Sequence, residues 1–379
     1  MSRPTRDSAA GRAYLDLQNQ ARRQKRGTQE LLTMYVVERW LSRMSRSAYA
    51  EDFILKGGML LASFGTRRPT VDADALARNM ASDEETVARR VAEIALIEDP
   101  DDGVEFLPET VTTALIRDDA LYSGVRVTMT SQLATAQVKL RLDINFGDPV
   151  TPAPRTVELP ALRPDSPPIR ILGYPIETVL AEKLVTAIEL GRANTRVRDF
   201  ADIHLLTGTQ VVQCGSLRDA LTATAEFRGT ALIPLARAAD GLGELREPTY
   251  VAYRNGLGEA GASLPPRFPD TVAAVAAFVD PVLSGLAAEA VWDPTERGWS
   301  LESPTTASGS TESGTESCAT RCGIREMSRV GPQKETMVSI TRRSRRLDVY
   351  LTQKLSLYAG AHLGGAATAA TAVLRANPC

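Results

Sequence analysis

Histidine is nearly missing from this chain of 379 residues: only His204 and His362 occur, and the four cysteines, Cys214, Cys318, Cys322 and Cys379, are widely scattered. That composition leaves no donor set for a zinc quartet and no framework for a disulfide-stapled scaffold, and it fits a reducing, cytoplasmic setting. Net charge is almost absent too. With 44 Lys+Arg against 46 Asp+Glu the chain carries -2, so bulk charge points to no polyanionic partner and any basic surface has to be local. From Met1 to Arg12 there is no apolar core ahead of a small-residue cleavage site, so secretion is not expected. Long runs of Leu, Ile or Phe are missing as well. Leu355 to Leu374 is uncharged and follows Arg342, Arg343, Arg345 and Arg346, the layout of a tail anchor, but it consists mainly of Ala, Gly and Thr, and membrane insertion is not expected. No internal repeat is visible.

What is present is enough apolar sequence, 43%, to fill a real core, in two lobes or in one large domain with appendages. Leu31, Leu32, Tyr35, Val36, Trp40 and Leu41 recur at helical spacing and predict an amphipathic helix over Thr28 to Met44. Ahead of it, Arg22, Arg23, Lys25 and Arg26 read as a solvated helix face, with an RNA-backbone contact as the alternative. Phe53 to Leu55 lead into Gly57-Gly58 and a short apolar helix. A strand is expected over Thr70 to Ala75, and a helix from Ser82, its candidate N-cap, to Leu96. Gly124 to Thr130 and Ala136 to Phe146 read as strands. In the second, Val138, Leu140, Leu142 and Ile144 alternate with polar residues, which puts Asp143 on the polar face. A Pro-rich stretch, Pro149 to Pro168, precedes a helical restart over Ile176 to Leu190, and Ala-rich helical sequence runs on to about Trp292. From Ser303 to Gly323 almost nothing can be buried.

The chemistry concentrates in two blocks. The first is Lys56-Gly57-Gly58-Met59 followed by Arg67-Arg68-Pro69-Thr70-Val71-Asp72-Ala73-Asp74. Residues two apart on a strand share a face, so Asp72 and Asp74 present two carboxylates together, a donor pair suited to Mg²⁺. Gly57 and Gly58 allow a backbone to approach phosphate oxygens at the start of a helix. Taken alone, an Asp-x-Asp pair is better explained by a solvated turn; the glycine pair upstream reverses that preference. The second block is Glu182-Lys183 with Arg192, Asn194, Arg196, Arg198, Asp199 and Asp202. Here Arg198 and Asp202, four apart on a helix, could form an ordinary surface ion pair. Similarly, Asp143 could pair with Lys139 or Arg141.

Together these residues resemble the DNA polymerase β-like nucleotidyltransferases. The wording Lys56-Gly57-Gly58, Arg68-Pro69-Thr70 and Asp72-x-Asp74 is similar to the AbiEii/AbiGii toxin branch, which includes the MenT toxins. The second block resembles that branch in its Glu182-Lys183 and in the run Arg196-x-Arg198-Asp199-x-x-Asp202. The resemblance covers about residues 28–300. It implies an α+β fold: a polymerase β-like nucleotidyltransferase lobe, a mixed sheet flanked by helices, followed by a mainly helical C-terminal lobe. The domains expected are a basic N-terminal extension over 1–27, the nucleotidyltransferase lobe over 28–150, a Pro-rich connector over 151–168, the helical lobe over 169–300, and a low-complexity tail over 301–379 that reads as disordered.

The resemblance also implies roles. Asp72, Asp74 and Asp143 would hold Mg²⁺, or Mn²⁺ in its place. Gly57, Gly58, Arg68, Lys183 and Arg196 would bind the nucleotide. Asp72, Asp74, Asp143, Lys183 and Asp199 would be the catalytic set, with Lys183 on the triphosphate and its alanine variant inactive but folded. Met59 departs from the pattern, since many superfamily members carry Ser or Thr there to hydroxyl-bond a phosphate. The activity implied is transfer of NMP from an NTP to an acceptor, the tRNA 3′ end, which blocks translation, in a type IV-like toxin–antitoxin system with a cognate antitoxin protein as partner. A protein or small-molecule acceptor, or a catalytically silent nucleotide- or RNA-binding protein of the same fold, are the alternatives.

Overall fold

The computed structural model describes residues 3–70, 72–118 and 122–301. Helices α1 (Ala9–Gln24) and α2 (Thr28–Met44) come first, then strand β1 (Phe53–Lys56), the single turn α3 (Gly57–Leu60) and strand β2 (Ala73–Ala77). Helix α4 (Glu84–Ala95) precedes strands β3 (Val104–Asp118), β4 (Tyr122–Leu133), β5 (Ala136–Phe146), β6 (Arg155–Leu159) and β7 (Ile169–Gly173). The rest carries α5 (Ile176–Leu190), α6 (Val197–Thr207), β8 (Val212–Gln213), α7 (Cys214–Arg228), α8 (Leu235–Ala238), α9 (Leu242–Gly256), α10 (Phe268–Leu283), β9 (Val291–Asp293) and β10 (Gly298–Ser300). The Ser/Thr-rich segment and the uncharged stretch Leu355 to Leu374 lie outside the described residues. No helix among the described residues is long and apolar enough to cross a membrane.

Seven strands form one mixed sheet in the order β3-β4-β5-β2-β1-β7-β6. The pairs β2–β5 and β1–β7 are parallel and the others antiparallel. Helices α2 and α4 cover one face. The alternation in β5 explains how: Val138, Leu140, Leu142 and Ile144 are at most 1% exposed, and Asp143, out of phase with them, stands on the opposite face. In α2 all six apolar residues of the predicted stripe are buried, each worth about 1.5–3 kcal/mol relative to exposure. Buried charges fix its orientation. Arg43 Nε donates to Ile97 O (2.8 Å) and its guanidinium grips Asp102, while Glu38 accepts from Leu162 N (2.7 Å). The fold is thus α+β, a mixed sheet flanked by helices and followed by mainly helical sequence.

Several elements differ from the sequence reading. Helix α4 is capped by Asp83, whose carboxylate accepts from Thr86 N (2.8 Å), in place of Ser82; either residue type caps well, and Asp83 is the one in reach of the amide. The strand expected over Thr70 to Ala75 begins at Ala73, because Thr70 Oγ1 turns on to the Asp72 carboxylate (3.2 Å) and carbonyl, a local bond that competes with the ladder. Strand β3 has no clear sequence signature, since Pro108 breaks its alternation at the register shift between Leu107 and Thr112. Within the Pro-rich stretch, β6 pairs with β7 and completes the edge of the sheet, where prolines at strand ends are tolerated. A small sheet, β10-β9-β8, closes the helical part. There Phe278 stacks on Trp299 (5.4 Å between centroids) and meets Trp292 edge-on (4.9 Å), with Trp299 Nε1 donating to Phe278 O (2.8 Å).

Candidate active site

The site grows from the register of four neighbouring strands. Lys56 on β1 pairs with Asp74 on β2, Asp74 with Asp143 on β5, and Asp143 with Arg126 on β4. A row of charges, plus, minus, minus, plus, therefore crosses the polar face of the sheet. All four line one cleft of about 320 Å³, together with Asn145, Asp148, Arg196 and Arg228. Like charges directly opposite one another across a strand pair are destabilising, so the central pair Asp74–Asp143 is unfavourable unless a cation answers it.

The flanking cations answer it unequally. Lys56 sits under the Tyr174 ring and spends its ammonium elsewhere, on Asp148 Oδ2 (2.6 Å) and Glu182 Oε1 (2.7 Å). Arg126 grips Asp143 with both nitrogens, Nε–Oδ1 2.8 Å and Nη2–Oδ2 2.7 Å. The partner of Asp143 is thus across the sheet, neither Lys139 nor Arg141. Burial, reinforced by neighbouring Asp72, pushes the Asp74 carboxyl up to about 6 against the pull of Lys56.

The two glycines couple the motif's halves. Gly57 has φ +67° and a Cβ there would overlap the Asp74 carboxylate. Gly58 packs on Thr70 and Arg68, where a Cβ would stand 2.8 Å from Thr70 Oγ1 and 3.3 Å from Arg68 Nη1. The helix after them is a single turn continued by a 3₁₀ turn, Leu61–Phe64, so close backbone approach, and not a long helix dipole, is what this motif offers. Met59, the departing position, is 3% exposed and packs in the core.

A second cluster stands on α5 and α6. Lys183 Nζ binds Asp199 Oδ1 (2.6 Å) and Asp202 Oδ2 (2.9 Å), and Arg68 Nε binds Asp202 Oδ1 (2.9 Å). Burial opposes ionisation of Asp199, but Lys183 outweighs it and holds the carboxyl below its ordinary value. Burial likewise opposes the Lys183 charge, and Asp202 and Asp199 overcome it, raising the ammonium's pKa. The pairing Arg198–Asp202 is replaced by this network. Lys183, part-buried, is thus the hub that joins two carboxylates.

Of the predicted residues, Asp74, Asp143 and Arg196 line the cleft; Arg68, Lys183 and Asp199 gather in the second cluster; Asp72 stays at the mouth of β2, held by Thr70. Consecutive residues join the two groups: Glu182 reaches Lys56 and Lys183 reaches Asp199. The reading missed Arg126, Asp148 and the structural work of Lys56, Glu182 and Asp202. Lys56 and Glu182 at least stood inside the quoted motifs, whereas Arg126 left no signal before the register existed.

Carboxylate donors alone, under mutual repulsion, are the chemistry a hard divalent cation suits. As the side chains stand, no three acidic, histidine or cysteine groups among the described residues converge to cage a metal; Asp143 is committed to Arg126.

Residues 39–277 match the family model described as the nucleotidyl transferase AbiEii toxin of type IV toxin–antitoxin systems, and the chain belongs to that family. It is a nucleotidyltransferase of toxin type. Among solved structures, it is similar to MenT4, a nucleotidyltransferase toxin from Mycobacterium tuberculosis, at 16% identity and a TM-score of 0.41, covering 60% of this chain and 74% of that one. It is also similar to JHP933 from Helicobacter pylori, at 15% identity and a TM-score of 0.40, covering 67% and 95%. No curated protein matches the chain.

Proposed function

We propose that this chain is a Mg²⁺-dependent enzyme that transfers NMP from an NTP to the 3′ end of tRNA, releasing pyrophosphate and blocking translation, and that a cognate antitoxin restrains it. The observation that carries the reading is the in-register opposition of Asp74 and Asp143 with Asp72 beside them. Such a pair costs stability, and a functional site is where such a cost is kept. Asp72, Asp74 and Asp143 would hold the cation, which when bound neutralises phosphate charge and activates the attacking hydroxyl. The backbone of Gly57 and Gly58, with Arg68 and Arg196, would receive the phosphates. Lys183 and Asp199 position Arg68 through the shared Asp202, and Lys183 supplies positive charge near the triphosphate.

An RNA acceptor is supported by a second cleft, about 840 Å³, where Arg23, Lys25, Arg26 and Arg67 gather against Glu30 and Glu259. Arg67 and Pro69 on its wall flank Arg68, so the basic surface adjoins the glycine motif. That placement favours the backbone-contact reading of the basic run over a merely solvated face.

The test is incubation with total tRNA, Mg²⁺ and each α-³²P-labelled NTP in turn. Labelled tRNA, lost in Asp72→Ala, is the expected result. Label on protein or on a small molecule would replace the acceptor, and nucleotide binding without any transfer would make the chain a silent binder.

A further inference from the structure

Arg126 and Lys56 end the same row of charges, yet their circumstances differ. The Lys56 side chain is 10% exposed and tied to Asp148 and Glu182. Arg126 is 42% exposed, lies on the wall of the cleft, and among the described residues its one ion pair is the fork on Asp143. Both oxygens of Asp143 are taken up by that fork. A carboxylate so occupied has no oxygen left unshared for a cation, and a guanidinium so exposed can swing into solvent once a cation takes over the charge of Asp143, itself 14% exposed.

We infer that Arg126 is a displaceable counter-ion: it holds Asp143 while the carboxylates carry no metal, and a divalent cation arriving beside Asp74 competes with it for the same oxygens. The competition presupposes the cation site proposed above and adds the residue that contests it. Release frees a guanidinium on the cleft wall, in a position to meet incoming phosphate oxygens. Arg126 is accordingly a positioning residue that couples cation binding to phosphate grip.

The test measures Mn²⁺ binding to the full chain by electron paramagnetic resonance, without nucleotide, in wild type, Arg126→Gln, Arg126→Lys and Asp74→Asn. Removing the competitor tightens Mn²⁺ about two- to fivefold in Arg126→Gln, the range set by a partly exposed ion pair. Arg126→Lys, which makes a point contact in place of a fork, falls between, and it serves in place of the glutamine variant if that one does not fold. A merely structural arginine would lower Tm in these variants without tightening the metal. Equal or weaker Mn²⁺ binding in the Arg126 variants, with binding lost in Asp74→Asn, overturns the counter-ion role and leaves the cation site standing. Absence of Mn²⁺ binding in every protein overturns the cation site, and the competition with it.

Discussion

Asp74 and Asp143 face each other in register across the parallel pair β2–β5, the two acidic members of a four-strand row that Lys56 and Arg126 terminate. Burial, then Asp72 and, less strongly, Asp143 make the Asp74 charge unfavourable, so an electrostatic cost sits at the floor of the cleft.

That energy has a pH signature. The folded Asp74 carboxyl titrates at about 6 against an ordinary 3.8, so below both values it is neutral in the folded and unfolded chain alike and contributes nothing. Between about pH 4 and 6 the folded chain keeps a proton that the unfolded chain has lost, and stability falls as pH rises. Above that window the full penalty, on the order of 3 kcal/mol, is in place. In metal-free buffer, Asp74→Asn should therefore melt about 3–6 °C higher than wild type near neutral pH. The difference should close as pH approaches about 4. Thermal melts across that range check it, and equal Tm values at neutral pH would count against it.

Gly57 and Gly58 should respond differently to alanine. At Gly57 the positive φ and the overlap with the Asp74 carboxylate act together, costing on the order of 1–3 kcal/mol and displacing Asp74. At Gly58 φ is ordinary and the close neighbours are Thr70 Oγ1 and Cβ and the tip of Arg68, so a methyl group requires Thr70 to shift by a few tenths of an ångström. Gly57→Ala should abolish transfer and lower Tm; Gly58→Ala should keep most of its stability and lose part of its activity. Urea denaturation with parallel assays separates them.

Lys183→Ala leaves Asp199 near Arg196 and Arg68, and Asp202 bound to Arg68. Asp202 is buried and Lys183 and Asp199 are part-buried, so removing the lysine costs about 3 kcal/mol, the lower end for a buried pair. The variant should unfold at markedly lower urea, whereas Asp199→Asn, which keeps the shape and leaves Lys183 paired with Asp202, should lose less. Equal midpoints for wild type and Lys183→Ala would contradict the hub role.

The basic cleft makes a salt-dependent prediction. Arg23→Ala with Lys25→Ala should raise KM for tRNA several-fold at physiological salt and flatten its salt dependence by one to two phosphate contacts. Metal affinity should not change. An unchanged salt slope would return the basic run to a solvated face.

Legibility in the sequence followed the range of the interaction. Helices α2 and α5 were readable to the residue because their apolar stripes are local patterns, and Asp143 was placed on the polar face by alternation alone. The Gly57-Gly58 and Asp72-x-Asp74 blocks were readable as chemistry. Strand β3 was hidden by Pro108, and β6 by its proline-rich flanks. The Arg126–Asp143 fork and the Lys56–Glu182 bond exist only once strands and helix α5 are in place, with partners 17 and 126 positions apart in the chain. Spacing on one element put Asp72 and Asp74 together on a strand; the competing bond from Thr70 keeps Asp72 at its mouth.

We propose that nucleotidyl transfer depends on the Asp74–Asp143 pair. Its most direct test is transfer of α-³²P label from NTP to tRNA by Asp74→Asn, set beside Asp102→Asn, a buried ion-paired carboxylate remote from the cleft and bound to Arg43. Per folded molecule, Asp74→Asn should lose transfer by a factor of about 100 or more, and Asp102→Asn should retain it. Transfer surviving in Asp74→Asn, or lost equally in both, would contradict the account.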